Sequence, residues 1–133
     1  MLLSRDAALA GDEIAMTANS TVRTIAWLIV GSHTIGVVAN GVSLALGDPR
    51  YTPGLWLTFG CLKLAGVIAG LLLLRGQRAG AWLFAFSLIA GAGVALAFTG
   101  PYPAYLWVVA GLALAAVVGG FAFVMGRNWS SLR

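Results

Sequence analysis

Hydrophobic positions in this chain neither alternate with polar ones nor repeat as a stripe; they run on without a break. Four such runs, Val22–Leu46, Gly54–Leu74, Ala79–Phe98 and Ala104–Gly126, are parted by short stretches that hold every proline and four of the six charges between residues 22 and 126. About 20 helical residues cross ~30 Å of hydrocarbon, so each run is long enough to span once and too short to span twice. Barrel strands need only about ten alternating residues, which these continuous runs are not. The pattern predicts an all-α, polytopic membrane protein with four transmembrane helices at about 22–46, 54–74, 79–98 and 104–126. The connections Gly47–Pro53, Arg75–Arg78 and Thr99–Pro103 are short. Short connections force consecutive helices side by side and antiparallel, an up-down-up-down bundle.

Residues 1–21 are mixed and polar (Arg5, Asp6, Asp12, Glu13, Asn19) and read as a cytoplasmic N-terminal tail with room for a short surface helix; residues 127–133 form a C-terminal tail. No apolar core or small-residue cleavage site marks a secretory leader. Met16 stands just before the first run, so a start at Met1 or at Met16 stays open.

Composition sharpens the reading. Sixty per cent of the residues are hydrophobic and 9% charged, against about 25% charged in soluble domains. A chain of 133 residues forms one domain and is too small to hide that much apolar surface from water, so lipid is its solvent. The net charge of +4 would suggest nucleic acid in a soluble protein. Here the basic residues sit singly or in pairs at segment ends, as topology signals do, and nucleic acid is excluded as a partner. Arg5, Arg23, Arg75, Arg78, Arg127 and Arg133 fall on one side and Arg50 on the other. The positive-inside rule then places both termini and the Arg75–Arg78 turn in the cytoplasm. Trp27, Trp82 and Trp129 mark the inner ends, while Trp56, Trp107, Tyr51, Tyr102 and Tyr105 mark the outer ones, as interfacial aromatics should. A faint repeat relates Pro49–Trp56 to Pro101–Trp107, either a duplication or a shared interfacial demand.

The single cysteine, Cys61, cannot form an internal disulfide and reads as a packing residue. Small residues recur at helical spacing: Gly66-x-x-x-Gly70, Ser87-x-x-x-Gly91 and Gly111-x-x-x-Ala115-x-x-x-Gly119, with Gly36 and Gly60 beside the polar positions below. Such ridges let helix backbones approach closely where lipid offers little drive for association. Packing within the bundle, a homodimer and a larger membrane complex all remain open.

Chemistry is confined to three residues at membrane depth: His33 and Asn40 in the first run and Lys63 in the second. A lysine at the bilayer centre costs ~2.5–3.5 kcal/mol on insertion scales, so Lys63 should face the bundle interior, a wet cavity or a partner. His33 and Asn40 lie about two turns apart on one face, with Gly36 between them. An adjacent antiparallel pair would gather all three. No carboxylate shares their depth, so Lys63 is either neutral or matched by backbone carbonyls, Asn40, an anionic ligand or another chain's acid. The cluster reads either as a site for a polar or anionic head group or a quinone carbonyl, or as a structural knot and docking point. Ser32, the neighbour of His33, is expected to point elsewhere around the helix.

Several chemistries drop out. One histidine cannot hold a bis-histidine haem, no metal-ligand cluster or phosphate loop appears, and no embedded carboxylate supports proton-coupled drug export. An enzyme using His33 or neutral Lys63 as a base lacks the usual orienting partner.

The stretch Gly60-Cys-Leu-Lys-Leu64, followed by the apolar Gly66–Leu74 and the Arg75-Gly-Gln-Arg78 turn, resembles the DoxX-type small four-helix membrane proteins. In that family the Lys-Leu element tends to close the first helix, whereas here it lies within the second. The resemblance implies a multi-pass protein of a bacterial inner membrane, in some cases an accessory part of redox complexes. Together these readings lead to the expectation of a non-catalytic subunit or binding protein, with an oligomeric transporter or channel as the alternative. The identity of any cofactor stays open.

Overall fold

A computed structural model describes residues 3–47, 52–99 and 103–133, with side chains for 20–47, 52–98 and 103–133. Among the described residues there are four α-helices and one short 3-10 turn: α1 Leu3–Ala45, α2 Pro53–Leu74, α3 Arg78–Thr99, α4 Ala104–Arg127 and η1 Trp129–Ser131. All four helices are long and apolar enough to cross a membrane, with mean hydropathy from 1.5 in the first span to 2.4 in the last. Helix α1 is longer than its apolar run; the span within it is Ser20–Ala45. Residues 48–51 and 100–102, and with them Asp48, Arg50, Tyr51, Tyr102 and most of the faint repeat, lie outside the described residues.

Local chemistry explains where the helices stop and start. Gly47 ends α1 at φ +66°, a conformation that glycine adopts without steric cost. Pro53 opens α2, and the Thr52 hydroxyl accepts the Leu55 amide at 3.3 Å as an N-cap. At the other end of α2, Gly76 takes φ +71°. The Gln77 amide donates to Leu72 O and the Gly76 amide to Leu73 O, both at 2.9 Å. These two bonds form a Schellman motif that reverses the chain into α3.

Glycines set the packing. A Cβ built on Gly36 would meet the Lys63 side chain, one on Gly66 the His33 ring, and one on Gly70 the Val30 side chain and Ala26 O. The order of these contacts runs α2 back along α1. Gly80 is closer still: its Cβ would lie 2.6 Å from Ala69 O and 2.7 Å from Leu73 N. The α2 and α3 backbones therefore touch there. Rings carry α4 onto α3, with Phe84 and Phe121 edge to face at 4.8 Å between centroids. Helix α2 is the most buried span and α4 the least, with Met125 its one buried residue.

The core gathers at the end bearing the Arg75–Arg78 turn, from Val22, Ala26, Ile29, Ala69, Leu73, Ala81, Phe84, Met125 and Leu132. Leu132 arrives by a turn back of the chain. After η1, the Arg133 amide donates to Gly76 O at 2.6 Å and the Arg78 amide to Arg133 O at 2.9 Å. This backbone clasp drives Leu132 into the base of the bundle, where it is 3% exposed. Leu132→Ala should therefore cost about 2 kcal/mol, at the low end for a buried leucine. Unfolding of the purified protein in detergent, followed by tryptophan fluorescence, checks this. An unchanged midpoint would mean that the clasp holds without its plug.

Two tryptophans differ from simple interfacial markers. Trp56 sits at its helix end but is turned inward and buried, while Trp82 packs edge to face on Trp129 at 6.2 Å.

Candidate functional site

Above the core, His33 of α1 and residues of α2 and α3 line a half-open cavity of about 320 Å³, with Leu114 of α4 also on its wall. His33, Lys63 and Ser87 are the polar members of its wall; Phe59, Leu88 and Ala95 are among the apolar ones. Lys63 reaches it because Gly36 carries no side chain: the built Cβ would stand 3.0 Å from Lys63 Cδ and 3.2 Å from Cε. The aliphatic stem thus lies across the α1 backbone. His33 is admitted in the same way by Gly66. Each polar side chain is seated by a glycine on the opposite helix.

The imidazole is fixed on three sides. Nδ1 lies 3.0 Å from Ile29 O, and since a carbonyl only accepts, Nδ1 carries a proton and donates. The ring edge meets Phe84 at 5.6 Å between centroids. Ser32 Oγ donates to the same Ile29 carbonyl at 3.2 Å and stands 3.3 Å from His33 Nδ1. This overturns the expectation that Ser32 points elsewhere. A shared acceptor one turn back draws neighbouring short side chains together along the helix. With Nδ1 committed to the backbone, the neutral ring offers Nε2 as an acceptor. Ser87 donates to Phe84 O at 2.9 Å, leaving its oxygen able to accept.

Asn40 does not line this cavity, and its buried Nδ2 has no hydrogen-bond partner. A buried donor left unmade costs about 1–3 kcal/mol. No carboxylate is found among the described side chains, since Asp6, Asp12, Glu13 and Asp48 all fall outside them. Nor do the described residues group three or more metal-ligating side chains.

The other small residues take different places. Ser87 and Gly91 line the cavity, with open space around Gly91. Gly60, Gly111 and Gly119 also have open space where a Cβ would stand, and Ala115 is exposed. Cys61 is exposed on the flank of α2.

A second opening adjoins the first. Helix α4 stands off from α1, leaving a cleft of about 420 Å³ lined by Ile25, Ile29, Ser32, Phe84, Gly120 and Phe121. The His33–Phe84 pair stands between cleft and cavity. Sequence reasoning missed Phe84, Phe121 and Gly80. Phenylalanines in an apolar run carry no mark of their orientation, and Gly80 has no spaced partner within its own helix.

Comparison with known protein families, with curated sequences and with solved structures returns no match.

Proposed function

We propose that this chain is a small, non-catalytic binding protein or subunit of a bacterial inner membrane, with the His33–Lys63–Ser87 cavity as its site. The occupant is the anionic or carbonyl-bearing head group of a lipophilic molecule. The observation that carries this reading is the seating of Lys63 against Gly36 of the neighbouring helix, at a depth where an ammonium costs ~2.5–3.5 kcal/mol. An acceptor group in the cavity would offset that cost. Lys63 supplies the donors for that group, while the Ser87 oxygen and His33 Nε2, both acceptors, suit hydroxyls beside it.

In this reading both termini and the Arg75–Arg78 turn face the cytoplasm, as the arginine distribution directs. The likeness of Gly60–Leu64 to DoxX-type proteins agrees with a bacterial inner-membrane setting. Catalysis is not part of the proposal: the Nδ1 bond of His33 ends on the backbone carbonyl of Ile29 and not on a carboxylate that would orient the ring as a base.

The test is native mass spectrometry of the chain released from a bacterial inner membrane in lipid particles. The parent should carry a small-molecule adduct whose occupancy falls about tenfold in Lys63→Met, a loss of about 1.4 kcal/mol, and also falls in His33→Ala. Both variants should still insert. Retention of the same adduct by both removes the site. Lys63-dependent chloride flux in liposomes without any adduct would favour the channel reading instead.

A further inference from the structure

A separate groove lies where α3 and α4 meet, with Phe121 shared between its wall and the α1–α4 cleft. Ala81, Ala85, Val118, Ala122, Met125 and Gly126 form the walls of an entirely apolar groove of about 280 Å³, closed at one end by Trp82 and Trp129. Its small side chains leave room for a hydrocarbon chain. A helix, about 10–12 Å across with its side chains, cannot enter such a volume. From Val118 to Gly126 the groove follows α4 for about 12 Å, close to the ~15 Å depth of one leaflet's hydrocarbon.

The groove's tryptophan end is basic. The Arg78 guanidinium lies over the Trp129 ring at 5.1 Å, and its Nη2 donates to Trp129 O at 3.3 Å. That bond uses one of the five donors of a fork whose geometry matches phosphate. Arg127 follows the lining Gly126, with its guanidinium over the Phe123 ring at 5.9 Å and not on the groove wall. Arg133 is held to Arg78 through the backbone clasp.

We infer that the α3–α4 groove is a binding site for one anionic phospholipid, its acyl chain against Ala85 and Ala122 and its phosphate on Arg78. Two independent features agree on the occupant: a slot of one leaflet's depth, and a cationic fork where such a lipid carries its phosphate. A basic pocket between membrane helices has the chemistry of an anionic head-group site. The site is distinct from the His33–Lys63 cavity and does not depend on what occupies that cavity.

The experiment uses the purified, delipidated full chain in detergent, exposed to phosphatidylglycerol or phosphatidylcholine with identical acyl chains and read by native mass spectrometry. The parent should retain phosphatidylglycerol at least fivefold more than phosphatidylcholine. Arg78→Gln should bring the ratio near one. Ala122→Trp, which fills the slot, should abolish retention of both, whereas Gly93→Ala, with open space around it, should behave as the parent does. Melting curves recorded alongside separate loss of site from loss of fold. Equal retention of the two lipids by the parent, or an unchanged preference in Arg78→Gln and Ala122→Trp, overturns the proposal. So does a parent dimer that Ala122→Trp dissociates, because the groove would then belong to a second copy of the chain.

Discussion

Gly80→Val should prevent α2 and α3 from seating and lower the unfolding free energy by about 3 kcal/mol, near the top of the usual range for overpacking. A Cβ at this position would lie 2.6 Å from Ala69 O, 2.7 Å from Leu73 N and 2.9 Å from Leu73 Cγ. Two of the three obstacles are backbone atoms of a helix, which cannot swing aside as a flexible side chain can. Relief requires α3 to move outward, and that movement would also disturb Leu73 and Ala81 in the core. Gly93→Ala, on the same helix with no atom within 4 Å, should stay within about 0.5 kcal/mol of the parent. Detergent-titration unfolding of the three proteins decides the matter. Equal midpoints for Gly80→Val and the parent would mean that the α2–α3 contact is looser than described.

The second large effect belongs to Gly66. A Cβ there would overlap the His33 ring, so Gly66→Ala must expel the imidazole from its bond to Ile29 O and its edge contact with Phe84. We expect a loss of about 2 kcal/mol, from overpacking together with the broken contacts. The same substitution should cost little once the ring is gone, in a His33→Ala background. A double-mutant cycle of these two changes should thus show a coupling of about 1–2 kcal/mol, well above the few tenths seen for independent sites. Strict additivity would place His33 away from Gly66 and dissolve the geometry of the cavity.

The spans were legible because an unbroken apolar run has one stable solution in hydrocarbon: a helix that satisfies its own backbone. Their ends were legible for equally local reasons, since Pro53, Gly47 and Gly76 act on the chain within a turn of themselves. The faces were another matter. Spacing singled out Gly66, Gly70, Gly111 and Gly119 alike, yet the first two lie against α1 while open space surrounds the other two. An all-apolar helix carries almost no moment to say which side turns inward, so small-residue spacing marks what can pack and not what does. His33 and Lys63 were findable because burying either in lipid is costly enough to require an explanation. Asn40 obeyed the same logic, but the cavity does not include it. Depth along a helix places a residue; its lining role depends also on rotation, which sequence leaves free. The return of Leu132 into the core was invisible because Trp129–Arg133 carries no helical or strand period.

The clasp joining Arg133 to Gly76 and Arg78 has a mechanical consequence. It fixes the C-terminal end of α4; the other end is tied to α3 through the short Thr99–Pro103 connection, and along the length between them that helix has few neighbours to hold it. A rod of 24 residues is about 36 Å long, so pivoting by about 5° around the anchored end sweeps the far tip by about 3 Å. Displacement grows with distance from the pivot, leaving the Met125–Leu132 region nearly still while the gap facing Ser32 changes width. A tilt of that size would be enough to alter the width of the α1–α4 cleft.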